Sequence, residues 1–294
     1  MEKAVYHLPG LFEFYDFYRK FLPIYRENTE YFYDWCQIGS LYGAPADYLW
    51  AGGRVSTGNV DPRQVLALTE EYGLSARLTF SNSLLCPEHL KDPRCNRLCA
   101  LFGAESGNGV IVHSELLLDY LKEKYPNFYF VSSTTKVLTD FEDLAAETER
   151  PDFRYVVPDF RLNKAFDRLA GLKEKRKVEF LCNECCWPGC RERKECYENV
   201  SRKNLGERCP DHICAAPEGE KGYLFSAAMK NPAFIGIRDI RETYLPIGFS
   251  QFKIEGRGLG SAMLLEFILY YLTKPEYQLP LREEMYLDSM LDLF

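Results

Sequence analysis

The chain lacks any apolar run long enough to cross a membrane as a helix. Its greasiest stretch, residues 262–272, is broken by Glu266 and falls short of the roughly 20 residues a span needs. An apolar signal core is also missing from its N-terminal residues. Both absences lead to the expectation of a soluble, cytoplasmic protein with no membrane partner. Positive charge is in short supply too: 36 Lys and Arg stand against 43 Asp and Glu, a formal net charge of -7. No global field therefore draws in a polyanion, which disfavours a dedicated RNA or DNA binder. No internal repeat and no Pro/Gly/Ser-rich linker interrupts the sequence, so residues 1–294 are expected to form one domain. Nor is there a His-Glu-x-x-His string, which sets aside a zinc protease of that kind.

What the chain does have is alternation. With 46% hydrophobic and 27% charged residues it has globular composition and ample core. Short β-rich runs at 4–8, 48–50, 75–80, 109–113, 128–132, 155–159, 178–182 and 251–255 alternate with helical patterns at 12–35, 62–72, 92–102, 115–125, 141–149, 164–173 and 261–272. In the last of these Leu264, Leu265, Ile268, Leu269 and Leu272 make one apolar stripe at helical spacing. Eight strand–helix units at this length predict an α/β protein, a single (β/α)8 TIM-like barrel, rather than an open doubly wound sheet.

Such a barrel places its chemistry at the C-terminal ends of the strands. His7 and His113 then end strands one and four as candidate acid–base groups. Gly52-Gly53-Arg54 after strand two offers backbone donors and a guanidinium to an anion. Asn82 follows strand three as a candidate substrate contact, on a polar rim that also holds Ser81, Ser83, residues 132–136, Asp159, Asn163, Asn183 and Glu184. Lys253, Glu255 and Arg257 come at the end of strand eight, where barrels often bind anions; the first two are read as catalytic and Arg257 as substrate-binding. No Ser-His-Asp or Cys-His arrangement falls in barrel order to support peptide hydrolysis.

Cysteine is abundant. Of 11 cysteines, Cys182, Cys185, Cys186, Cys190, Cys196, Cys209 and Cys214 crowd together, mostly within a polar Cys/Gly/Pro-rich insertion at 183–232 between strands seven and eight. Without a secretory signal they are not expected to be a disulfide framework; soft thiolates select an iron–sulfur cluster or zinc. Cys186 and Cys190 flank a Pro-Gly turn and can converge. The irregular spacing beyond them suits a 4Fe-4S cluster better than the paired knuckles of zinc, which is the alternative. Cys182 and Cys214 complete the preferred quartet, with Cys209 the other candidate. Cys36, Cys86, Cys95 and Cys99 are expected to be small buried hydrophobes. A cubane on a barrel also suggests a radical S-adenosylmethionine enzyme, but that family's C-x3-C-x2-C follows the first strand, where His7 to Gly10 hold no cysteine. Arg191, Arg193, Lys194, Arg202 and Lys203 form a local basic patch that keeps tRNA or rRNA in play as a partner.

With Cys186-x3-Cys190-x2-Arg193 after strand seven and Phe252-Lys-Ile-Glu-Gly-Arg257 after strand eight, the chain resembles the collagenase-like peptidase family of TIM barrels, whose peptidase catalytic type is unassigned. The resemblance is carried by residues 178–257. It implies a four-iron four-sulfur cluster on four cysteines and an oxygen-independent hydroxylation of a tRNA wobble uridine, of ribosomal RNA or of quinone precursors, with prephenate implicated as hydroxyl source. Some members work as heterodimers, which implies a second possibility, a non-catalytic partner barrel with a structural metal site. The family's peptidase label is a third. The leading expectation is a cluster-dependent hydroxylase of a small anionic or aromatic substrate or an RNA base, with Arg54, Lys253 and Arg257 binding the anion.

Overall fold

The computed structural model describes residues 2–53, 60–217, 219, 225–256 and 258–291. Its parallel strands are β1 (Ala4–Pro9), β2 (Cys36–Gly43), β3 (Ser75–Phe80), β4 (Gly109–Val112), β5 (Tyr129–Ser132), β6 (Phe153–Val156), β7 (Glu179–Leu181) and β8 (Gln251–Lys253). They pair in the order β6-β5-β4-β3-β2-β1-β8-β7. A lone parallel bridge, Val156 to Val178, spans the remaining gap between β6 and β7, so the sheet is a nearly closed (β/α)8 barrel, as expected.

Between the strands run α1 (Tyr15–Glu27), α2 (Pro62–Glu71), α3 (Pro93–Phe102), α4 (Glu115–Lys124), α5 (Phe141–Glu149) and α6 (Phe166–Leu169). The stretch between β7 and β8 carries α7 (Arg193–Asn204), α8 (Phe225–Met229) and α9 (Ile237–Asp239), and α10 (Ser261–Tyr271) and α11 (Gln278–Leu291) follow β8. Asp61, Asp92, Ser114 and Asp140 start α2 to α5 by accepting backbone N–H groups two or three residues on. No helix among the described residues is long and apolar enough to cross a membrane.

One expected strand lies elsewhere. Residues 48–50 form no strand; the second strand is Cys36–Gly43, and α1 stops at Glu27, well before the end of the helical pattern at 12–35. The cause is the close approach of β1. A Cβ on Gly39 would lie 2.4 Å from Val5 Cγ1, so a glycine that weakens the local β signal is what lets the two strands pair. Trp50 serves as core instead, fully buried, with Nε1 donating to His89 O at 2.8 Å and its ring edge-on to Phe80.

Strand alternation divides the interior into two unlike layers. Outward-facing Tyr6 and Phe252 pack on each other, and Tyr6 also meets Tyr271 of α10. The expected α10 stripe is buried, with Leu264, Leu265, Ile268, Leu269 and Leu272 each at 2% exposure or less. Each such side chain contributes about 1.5–3 kcal/mol. The inward faces carry a small apolar cluster of Tyr42, Ile111, Val131 and Val157. Beside it stand four titratable side chains, His7, Arg77, Glu179 and Lys253, all buried, where barrels usually stack Val, Ile and Leu.

Candidate active site at the capped barrel mouth

At the C-terminal ends of the strands, Tyr42 (β2), Thr79 and Ser81 (β3 and its loop), Ile111 (β4), Ser133, Thr134 and Thr135 (after β5), and Lys253 and Glu255 (β8 and its loop) surround a cavity. Glu184, in the loop after β7, and Tyr197 of α7 complete the lining. The cap is tied to the rim by side-chain amides. Asn82 Nδ2 donates to Leu49 O at 2.9 Å and to Ser201 O at 3.2 Å, and its Oδ1 accepts from Leu84 N at 2.9 Å. Asn204 Nδ2 donates to Ala51 O at 2.7 Å. A buried ionic knot orders the cap's base: Arg193 Nη2 donates to Glu184 Oε2 at 2.6 Å, and Glu184 Oε1 accepts from the N–H groups of Cys185 and Cys186 at 2.9 and 3.1 Å. Arg193 Nε lies 3.4 Å from buried Asp159, and Arg161 Nη1 donates to Cys190 O at 2.8 Å. With the cap closed, about 20 Å³ stays free, room for a water molecule.

Two hydroxyls in that cavity are deeply buried and unmatched. Among the described residues Thr79 Oγ1 and Ser81 Oγ have no hydrogen-bond partner, at 3% and 1% residue exposure, and Thr134 Oγ1 is also without one. Such groups cost about 1–3 kcal/mol each when left unpaired. Lys253 Nζ lies 3.6 Å from the centroid of the Tyr42 ring and 3.3 Å from Glu179 Oε1. Asn183 braces the loop after β8, accepting from Glu255 N at 2.7 Å and donating to Glu255 O at 2.9 Å.

A larger cavity, about 560 Å³, opens at the N-terminal end of the barrel, lined by His7, Ser75, Arg77, Tyr129, Arg154, Tyr155 and Gln251 among others. Here the polar groups serve one another. Ser75 Oγ and Arg77 Nε both meet Tyr129 OH, at 2.7 and 2.8 Å. His7 Nε2 lies 3.0 Å from Gln251 Oε1 and 3.4 Å from Arg77 Nη2, and its Nδ1 lies 2.8 Å from Ser40 Oγ.

The predicted residues fall in different places. Lys253 and Glu255 line the mouth, as the strand-eight pattern suggested. His7 sits a layer below it, and burial, reinforced by Arg77, lowers its pKa to about 3. It is therefore neutral at physiological pH and does not face the mouth cavity. His113 stands one hydroxyl away from the cavity, with Nδ1 2.8 Å from Thr135 Oγ1; burial, then Lys136 and Lys194, lower its pKa to about 4. Asn82 has both polar atoms engaged in holding the cap, a positioning arrangement. Arg54 and Arg257 lie outside the described residues. Thr79, Tyr197, Arg77 and Glu179 were not singled out by the sequence. The available signal was the two-residue period of β3, where Arg77 and Thr79 alternate with Ala76, Leu78 and Phe80.

The cysteines are not gathered. Cys182 points away from the mouth into the apolar core, fully buried, and burial raises its thiol pKa. Cys185 and Cys214 are exposed, and Cys186, Cys190, Cys196 and Cys209 are half-buried. Among the described residues no three of His, Cys, Asp and Glu stand together as a metal site. The quartet of Cys182, Cys186, Cys190 and Cys214 thus does not fit one cluster here. Cys36, Cys95 and Cys99 are buried as expected, while Cys86 is half-buried, with Sγ 3.3 Å from His89 Nδ1. That Cys–His pair caps a turn, His89 Nδ1 accepting from Cys86 N at 3.1 Å, and neither residue lines the mouth. The expected basic patch is partly neutralised: Arg193 pairs with Glu184, Arg202 with Glu207 and Lys203 with Asp211.

No family model matches the chain, and no curated protein does. Among solved structures its fold is similar to that of the U32 peptidase Mk0906, with a TM-score of 0.52 and 13% identity over 86% of this chain and 92% of that one. A thiamine phosphate pyrophosphorylase from Pyrococcus furiosus matches with a TM-score of 0.35 and 12% identity, over 69% of this chain and 95% of that one. At 13% identity the first likeness is one of fold alone: the chain is a TIM barrel.

Proposed function

We propose that the chain is an enzyme that modifies a small anionic substrate at the capped mouth of its barrel. One observation carries the reading: buried Thr79 and Ser81 hydroxyls without partners line the same cavity as the Lys253 ammonium. Hydroxyl donors and a cation together suit an oxyanion, which supplies the missing acceptors. Glu255 and Glu184 in the same lining are carboxylates able to take or return a proton. Hydroxylation is the reaction the sequence resemblance implies. The tight mouth and the paired basic patch favour a small molecule over an RNA base. To test this, the gene is deleted and small metabolites and modified nucleosides are compared by mass spectrometry under anaerobic growth. A small product that wild-type protein restores and Lys253→Met does not is the expected result. Full restoration by Lys253→Met, or an altered nucleoside instead, overturns it.

The excursion after β7 favours a second reading, a 4Fe-4S cluster or zinc held by its own thiols without Cys182. Arg193 supports it. This side chain is 2% exposed, its Nε and Nη1 lack hydrogen-bond partners among the described residues, and Cys186 acts on its charge beside Glu184 and Asp159. Such a group, once bound, supplies electron-transfer or Lewis-acid chemistry. Anaerobic reconstitution with iron and sulfide should give brown protein in the wild type and in Cys182→Ser, and colourless protein in Cys186→Ser. Colourless wild-type protein carrying zinc would turn the choice to that metal.

A further inference from the structure

The inside of the barrel links the mouth to the opposite end by charge. Arg77 on β3 donates from Nη1 to Glu179 Oε2 at 2.5 Å, and Lys253 on β8 holds Glu179 Oε1 at 3.3 Å. One carboxylate on β7 thus serves two cations, one on each oxygen. His7 Nε2 lies 3.5 Å from the same carboxylate as a neutral ring. Arg77 is further held by Tyr129 OH and lies over the Tyr155 ring, 4.7 Å from its centroid. All four groups are buried. Burial alone would raise the Glu179 pKa, but Arg77, foremost among its neighbours, holds the carboxyl well below the usual range. With His7 neutral, Arg77, Glu179 and Lys253 sum to one surplus positive charge beneath the mouth. Glu184 and Glu255 face it from above and the Tyr42 ring from the side.

We propose that Glu179 is a positioning residue for the mouth: one of its oxygens holds the Lys253 ammonium in the lining that carries Thr79 and Ser81, while Arg77 on the other oxygen locks the carboxylate in place. The functional meaning of this arrangement rests on reading the mouth as an anion site; the arrangement itself does not. Glu179 touches no substrate and acts through Lys253. A short side chain at this depth is anchored on both sides, so the long lysine has one place to end. An anion entering the mouth then meets a charge already oriented, with no side chain to order on binding.

The test is a pH titration of the full chain with 13Cε-labelled lysine, followed by NMR, the Lys253 signal being identified by its loss in Lys253→Met. In Glu179→Gln the Lys253 midpoint should fall by at least one pH unit, since a buried ammonium loses its counter-charge, and Glu179→Asp should restore at least half of the shift. In Arg77→Gln, which remains informative if Glu179→Gln does not fold, the midpoint should rise, because a neighbouring like charge is gone. A Lys253 midpoint that stays put in a folded Glu179→Gln, or that does not rise in Arg77→Gln, overturns the proposal. Malonate added to wild-type protein reads the mouth separately. Midpoints that move as stated without any malonate response support the positioning role and overturn the anion-site reading alone.

Discussion

The two ends of this barrel have opposite polar economies. The N-terminal cavity is large and open, and its prominent side chains satisfy one another: Ser75 with Tyr129, Arg77 with Tyr129 and Glu179, His7 with Gln251 and Ser40. The C-terminal mouth has room for a water molecule, yet holds Thr79 and Ser81 hydroxyls without a hydrogen-bond partner among the described residues. Volume alone would point to the N-terminal end, unmatched buried hydroxyls to the mouth, since a buried donor without a partner calls for something to complete it.

The widest test of that contrast removes what both ends share. Glu179→Ala leaves the Arg77 and Lys253 cations buried without their common carboxylate and should cost about 3–5 kcal/mol in urea denaturation. A loss below about 1 kcal/mol would mean the ionic interior is not what joins the ends.

Asn82→Ala acts at the mouth only. It frees Leu49 O and Ser201 O and should cost about 1–3 kcal/mol. Limited proteolysis should then cut faster within 193–204, with amide exchange at the N-terminal cavity unchanged; equal loosening at both ends would erase the distinction.

Acidification should weaken both ends through their histidines. The folded-state pKa values, about 3 for His7 and about 4 for His113, lie below the ordinary value of 6.5, so the unfolded chain binds more protons in between. Their contribution is complete above pH 6.5 and is lost as pH falls toward 4 and 3, with a slope of up to about 1.4 kcal/mol per pH unit for each. Thermal denaturation from pH 7 to 5 checks the sign, and His113→Gln should remove only the mouth's share.

The smallest effect is the most diagnostic. Thr79→Val deletes an unpaired hydroxyl and should stabilise the apo protein by about 1 kcal/mol, whereas Ser75→Ala deletes a paired one and should destabilise it by a similar amount. Differential scanning fluorimetry should show melting shifts of opposite sign, on the order of 2 °C.

The barrel was legible because apolar strand runs and helical stripes are local signals: Ala76, Leu78 and Phe80 alternate in β3, Val110 to Val112 are apolar throughout β4, and α10 carries its leucine stripe. The strand at Cys36–Gly43 was not, because Gly39 is required by contact with Val5, a residue 34 positions away that local pattern cannot weigh. Lys253 and Glu255 were found from their place after strand eight. Arg77 and Glu179 stayed hidden because a charge inside a strand makes sense only once its partner across the barrel is known. Helix α7 was missed for a related reason: it has no apolar face, and what it buries is Arg193 and Ser201.

Seven of the barrel's eight seams are full ladders, and the eighth is the lone bridge from Val156 to Val178. Across the β6–β7 line the backbone offers that one bridge, and Asn163 Nδ2 adds a side-chain tie by donating to Leu181 O at 2.9 Å. Asp159, beyond β6, and Glu184, beyond β7, stand on the two sides of that line, and Arg193 reaches both. The guanidinium is thus a clasp across the slit, and whatever loosens the cap also unfastens the cylinder at its weakest stitch.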